Sequence, residues 1–326
     1  MVERHFATGF YGWLQPWVTA LSNQVPWALL DVQVMAATAA ALVILARATR
    51  RRPRARPSLG RRWLGRLRTA AAVAATAYLV FLVMWGLNYR RAPVEHRVAF
   101  DGSRVTSARV AALAVEATRA LNALHAPANA VPWPAWRDLP GSFGPELSRV
   151  ARRLRLGWEP RPGRPKPTLL GPYFRWAAIA GMTNPFALEV LPSPDTLPFE
   201  RHAVVAHEWA HLAGFAHEAE ASFVAWLMCQ GADRQARYSG WFSVWPSLVA
   251  ALPVRQRADL AAQLGDGPRR DLAAVAARNA RAVPALRSAA WRGYDAYLRA
   301  QHVEAGVASY EGVVRLLAGL DPRAVR

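Results

Sequence analysis

Residues 203–226 read AVVAHEWAHLAGFAHEAEASFVAW, and the chemistry legible in this chain starts there. His207, Glu208 and His211 form H-E-x-x-H. On a helix, positions i and i+4 lie one above the other, so the two imidazoles can grip one zinc ion. Glu208 then stands beside the open side of the metal, where a carboxylate can take a proton from a water whose pKa zinc has lowered. Val204, Val205, Ala206, Trp209, Ala210, Leu212 and Ala213 are uncharged. That suits a helix buried at the centre of a zinc hydrolase better than a surface helix with two unrelated histidines.

A glycine just past a helical run is the usual stop signal, so Gly214 is expected to end this helix in a left-handed turn. A second helical run over 216–228 puts Glu220, Phe223, Val224 and Leu227 on one stripe. An acid heading an apolar stripe is costly to bury unless it is paired or bound to metal, which makes Glu220 the candidate third ligand. Residues 207–217 also read H-E-x-x-H-x-x-G-x-x-H, the extended signature of zinc proteases with three histidines, and taken alone this points to His217. That class needs a methionine turn beneath the metal. The one downstream methionine, Met228, lies inside a continuous helical pattern. Glu218 is turned about 200° from Glu220 and is expected to face elsewhere.

The 326 residues are 53% hydrophobic, with the excess near the N-terminus. Residues 27–46 and 70–87 are apolar runs, the first with Asp31, Gln33 and Thr38 in its first two thirds, the second without a charge. Each reaches about the 20 residues that cross a bilayer's hydrocarbon core. Two transmembrane helices are therefore expected within 27–89, with Asp31 near the interface. Between them, residues 47–68 hold ten arginines and no acid. Arginine excess in a short loop marks the cytoplasmic side, so the N-terminal tail and everything after Leu87 are expected outside the cytoplasm.

This placement explains much of the formal net charge of +19. Residues 1–89 carry eleven basic and two acidic side chains, and the remaining excess is spread over the chain without a basic helix interleaved with aromatics. Lys166 is the single lysine, a bias that looks like genome composition rather than phosphate recognition. No nucleic-acid partner is expected, while the arginine loop can touch anionic lipid. Cys229, the lone cysteine, permits no intramolecular disulfide and is expected to be packed rather than reactive. No cleavable signal peptide is evident, so the first span is expected to serve as an uncleaved anchor.

Residues 1–26, with Phe6, Phe10, Tyr11, Trp13, Trp17 and two prolines, are expected to lie along the outer membrane interface. Residues 90–326 form the outer domain. Within it, 106–125 reads as an amphipathic helix with Val110, Leu113, Ala114, Ala117, Leu121 and Leu124 on one face, stopped by Pro127. Residues 127–145 read as loop and 146–156 as a short basic helix. PRPGRPKP over 160–167 excludes regular structure. Residues 177–191 are the strand material, suited to an ordinary sheet strand or to an edge strand that pairs with substrate backbone. Residues 192–198 turn the chain toward the zinc helix. Helices are expected over 241–264 and 270–300, interrupted by Pro246, Pro253 and Pro284, and over 303–317. Among Tyr294, Tyr297 and Tyr310, Tyr310 is the candidate to stabilise an oxyanion.

Several segments together resemble a family of bacterial inner-membrane proteins of unknown function that carry H-E-x-x-H. They are VERHFATGFY, WGLNYR, GMTNPFALEV, HEWAHLAGFAHEAEASFVAW, YDAYL and GVASY, and they run over nearly the whole chain. The resemblance implies two N-terminal spans and a zincin-like outer domain with no established substrate. H-E-x-x-H followed by a helix bearing E-A-x-x-F is similar to the zincin branch with a glutamate as third ligand, which maps onto His207, Glu208, His211 and Glu220. Where such proteins often carry Asn or Asp two residues after that glutamate, this chain has Ser222.

The fold expected is mainly α: two transmembrane helices plus an α-rich (α+β) zincin-like extracytoplasmic domain. The function expected is a zinc metallopeptidase anchored in the bacterial inner membrane, with His207, His211 and Glu220 on Zn2+ and Glu208 as base. Its partners are the lipid bilayer and a peptide or protein substrate. The alternatives are a non-catalytic metal-containing membrane protein for binding, structure or sensing, and a zinc hydrolase of a non-peptide amide such as a cell-wall component. Glu208 argues against the structural alternative, since a structural zinc needs a fourth closing ligand and no base.

Overall fold

The computed structural model describes residues 1–50, 59–301 and 312–321. The described chain is mainly helical. A π-type helical stretch Glu3–Phe10 leads into α1 (Tyr11–Gln24), followed by α2 (Leu29–Arg50), α3 (Leu59–Met84), α4 (Ser107–Ala128), α5 (Leu139–Ser142), α6 (Gly144–Arg153) and α7 (Gly171–Ala177). Two short strands follow, β1 (Gly181–Asn184) and β2 (Glu189–Pro192). The remaining helices are α8 (Arg201–Leu212), α9 (Glu218–Gln230), α10 (Arg234–Ala250), α11 (Val254–Gln263), α12 (Asp266–Asn279), α13 (Pro284–Ala300) and α14 (Gly312–Gly319).

Helix α8 lies at the centre of the domain because most of its circumference is apolar or small. Ala203, Val205, Ala206, Trp209, Ala210 and Leu212 are all buried, with α9, α10 and the β hairpin packed around them. The Trp209 ring is wholly buried, and its indole N–H donates to the Gly163 carbonyl at 2.7 Å. That carbonyl comes from the Pro-rich segment, whose glycine lets it pass close: a Cβ at Gly163 would lie 2.7 Å from Leu212. Helix α4 has the expected start, with Thr106 capping the Arg109 amide, and buries Val110, Leu113, Ala114, Ala117 and Leu121 against the core. It continues one residue past Pro127. Likewise α10 runs through Pro246.

The strand material resolves into an antiparallel hairpin in which Gly181 pairs with Pro192 and Asn184 with Glu189. The Ser193 amide donates to the Ala180 carbonyl. Alternation along an antiparallel ladder then directs the main-chain groups of Met182 and Asn184 toward β2, and those of Gly181 and Thr183 away from it. Beyond β2, Pro165 forms an isolated bridge to Val190. The outer edge of the hairpin is therefore β1.

Leu64–Met84, 21 residues whose most apolar window has a mean hydropathy of 1.8 and is 6% buried, is long and apolar enough to cross a membrane. The helix stops at Met84 rather than at Leu87, and Trp85 and Gly86 are buried in the domain. A Cβ on Gly86 would lie 2.3 Å from the Phe81 ring, so only glycine permits this tight exit. The other candidate is bent: Glu3–Gln24 and Leu29–Ile44 meet the criterion together but lie at 86° to each other. Glu3–Gln24 is thus helical, and α1 buries Tyr11, Gln15, Thr19 and Ser22 against the domain. Within the expected arginine loop, residues 51–58 lie outside the described chain.

The start of α2 is clamped by a buried ion pair. Glu189 accepts from the Leu29 and Leu30 amides at 3.0 and 2.8 Å, from Asn184, and from the Lys166 ammonium at 2.9 Å, while Lys166 also donates to Ser22. Both charged side chains are fully buried. A carboxylate at a helix N-terminus satisfies amides that have no partner within the helix. Lys166→Met removes the counter-charge and strands Glu189, so about 3–5 kcal/mol of stability is expected to be lost. Thermal unfolding of the purified variant checks this; an unchanged midpoint would show the pair to be dispensable.

Candidate metal centre

His207 and His211 share one face of α8, and their Nε2 atoms lie 3.1 Å apart. Helix α8 ends as its glycine requires. Gly214 adopts φ +87°, its amide bonds to the His211 carbonyl, and the Phe215 amide bonds to the Ala210 carbonyl. This is the paired arrangement of a left-handed helix stop. The turn then acts on the site directly, because the Phe215 carbonyl accepts from His211 Nδ1 at 2.8 Å. With Nδ1 carrying the proton, Nε2 of the neutral ring presents its lone pair.

The third member is Glu218, not Glu220. Its carboxylate lies 3.0 Å from His207 Nε2 and 3.6 Å from His211 Nε2, and it is buried. Glu220 instead accepts from the Val94 amide at 2.9 Å, and the His217 ring stands edge-on to Tyr89 at 5.6 Å. The reason is helix register. Helix α9 begins at Glu218, with His217 still extended, and its crossing with α8 turns positions 218 and 222 toward the histidines. Ser222, one turn on, accordingly places Oγ 3.3 Å from His207 Nδ1. Phe223, Val224 and Leu227 do enter the core, but Glu220 meets its burial cost with a main-chain N–H rather than at the histidines.

The three donors fit a small cation. A tetrahedral zinc with bonds of about 2.0–2.1 Å separates its ligand atoms by about 3.3–3.4 Å; the two Nε2 atoms lie 3.1 Å apart, and Glu218 faces His207 with Oε2 at 3.0 Å and His211 with Oε1 at 3.6 Å. Burial opposes charge on His211, but the Glu218 carboxylate outweighs it and lifts the imidazole to about 9. Burial likewise opposes charge on Glu218, yet His211 and His207 hold it well below the usual carboxylate range.

Glu208 points from α8 toward β1. Thr183 Oγ1 lies 2.8 Å from its carboxylate, and a Cβ on Gly181 would come within 2.9 Å of it, so the strand rests on this side chain. Burial pushes the Glu208 carboxyl upward, while His207, His211 and the Thr183 hydroxyl pull the other way.

Residues 6–318 match the family described as "protein of unknown function (DUF3810)". The chain belongs to DUF3810. No curated protein and no solved structure matches it. Membership in DUF3810 assigns no chemistry by itself.

In this DUF3810 chain several residues that touch the site lie far from H-E-x-x-H in sequence. The Trp85 indole donates to the His211 carbonyl at 3.0 Å, and Arg91 donates to the Ala213 carbonyl at 2.7 Å while stacking on Phe215. The Tyr294 hydroxyl donates to Glu218, and Tyr297 stacks beside it. Tyr310, the tyrosine favoured from sequence, lies outside the described residues. Gly214 joins these supports, because a Cβ there would sit 2.7 Å from Arg91 and 2.9 Å from Asn88. Gly214→Ala combines that clash with a left-handed φ and is expected to cost at least about 1 kcal/mol. Metal affinity is expected to fall with it as the Phe215 carbonyl shifts. Thermal unfolding and a zinc titration check both, and wild-type values for the variant would mean the turn is not needed.

Proposed function

We propose that this protein is a membrane-anchored zinc metallopeptidase. The observation that carries the reading is the convergence of His207, His211 and Glu218 on one point, with Glu208 beside them beneath an edge strand. Zinc held by these three residues would supply a Lewis acid that polarises the scissile carbonyl and acidifies water. Glu208 takes the proton from the attacking water and delivers it to the leaving amine. The outward main-chain groups of Gly181 and Thr183 pair with an extended substrate, adding it to the hairpin as a further strand. This edge favours a polypeptide over a non-peptide amide. Among the described residues no fourth His, Cys, Asp or Glu joins the cluster, and a structural zinc site is normally closed by four.

The bacterial inner membrane is the proposed location, with α2 and α3 as two spans and the catalytic domain outside the cytoplasm. Support comes from the ten arginines between the apolar runs. A reporter active only outside the cytoplasm is expected to work when fused after Leu320 and to fail near Pro57; the opposite pattern would reverse the orientation. Purified full-length protein is expected to hold about one zinc per chain and to cleave an unfolded polypeptide until a chelator is added. Absence of zinc after purification with zinc supplied, or cleavage indifferent to chelator, would sink the reading.

A further inference from the structure

The candidate centre lies at the end of the apolar helix. Leu64–Met84 spans about 31 Å at 1.5 Å per residue, the thickness of a bilayer core of about 30 Å. The next residue, Trp85, already holds the His211 carbonyl. Helix α1 holds the neighbouring Leu212 carbonyl through the Tyr11 hydroxyl at 2.9 Å. Because the N-terminal helix is bent 86° from Leu29–Ile44, α1 lies along the membrane surface when α2 crosses it. Its buried face meets the domain, and its opposite face exposes Trp13 and Trp17, each 62% accessible. A helix with one aromatic face turned to a bilayer is an interfacial helix.

The hairpin sits at the same level. Asn184, the last residue of β1, donates to Gln33 in the second turn of α2 at 3.1 Å. Two residues on, the partly exposed Phe186 ring lies 6.3 Å from Phe81 in the last turn of α3. The β1–β2 turn therefore stands between the bases of the two apolar helices, and the outer edge of β1, which no strand pairs among the described residues, leads from the bilayer surface to Glu208. A soluble substrate would gain nothing from this placement, whereas a chain emerging from the bilayer meets the edge as it leaves.

Resting on the metallopeptidase reading, we propose that the substrate is a polypeptide itself anchored in the membrane and cut close to where it emerges. The four residues of β1 cover about 13 Å of extended chain. The scissile bond is therefore placed within about ten residues of the membrane end of the substrate. Hydrolysis balances without a further reactant: water oxygen bonds to the carbonyl carbon, the C–N bond breaks, and the water proton passes through Glu208 to the amine.

The test uses the full-length protein in vesicles with a single-span helix that carries unstructured, mixed-sequence peptides outside. In one set the peptides follow the span directly, and in the other a Gly/Ser spacer of about 40 residues intervenes. Both sets share the membrane, so effective concentration differs little, and the short-spacer set is expected to be cut at least about tenfold faster. Mass spectrometry is expected to place the cuts next to the span. Equal rates for the two spacers, or cuts scattered along the spacer, would overturn the proposal while leaving the metallopeptidase intact. Loss of the whole reading looks different: no zinc, and no cleavage of either set beyond that of Glu208→Gln.

Discussion

Glu208→Gln is expected to keep its zinc and to lose about 10²–10⁴-fold in turnover, the contribution of a positioned general base. The amide is close to isosteric with the carboxylate and can still accept from Thr183 Oγ1, 2.8 Å away in the native site. It also removes a charge whose burial is unfavourable, so folding is not at risk. The groups proposed to hold zinc are His207, His211 and Glu218, none of which the substitution alters. Zinc content and turnover measured on the same preparation decide the role. Full turnover in the variant would exclude Glu208 as the base, and loss of zinc would mean that it holds the metal.

The second large effect separates Glu218 from its neighbours. Outer partners of metal ligands are worth about 10–100-fold in affinity, so deleting a ligand outright in Glu218→Ala is expected to weaken zinc binding by more than about a hundredfold. It also removes the carboxylate to which the Tyr294 hydroxyl donates. Glu220→Ala should retain zinc and lose stability, about 1–3 kcal/mol, because the Val94 amide loses its partner. His217→Ala should retain zinc too, since its ring stands against Tyr89 and near Glu220 and does not join the cluster of His207, His211 and Glu218. Zinc measured on the three purified variants is the check. Metal kept without Glu218 but lost without Glu220 or His217 would overturn the assignment.

Local rules carried the sequence reading far. The i, i+4 spacing of His207 and His211, the glycine stop at Gly214 and the apolar face of α4 follow from the period of a helix or the conformational freedom of one residue, and the uncharged run over 70–87 marked the apolar helix that the structure bounds at Leu64–Met84. The strand material was visible as well, but its division into β1 and β2 depends on the turn at 185–188 and on Glu189 reaching across to α2. Arginine-rich composition likewise made Lys166 look incidental, although it is the buried counter-charge of that clamp.

What only the tertiary structure decided is which acid meets the histidines. Glu218 and Glu220 are two residues apart, about 200° around a helix, and periodicity alone favoured the one in line with Phe223, Val224 and Leu227. The choice turns on where α9 starts and how it crosses α8. The turn between them is held by Trp85 and Arg91, separated in sequence from their carbonyl partners by 126 and 122 residues. An apolar stripe states which face of a helix is buried, not what lies opposite it: Glu220 found a main-chain amide, and Glu218 found His207 and His211.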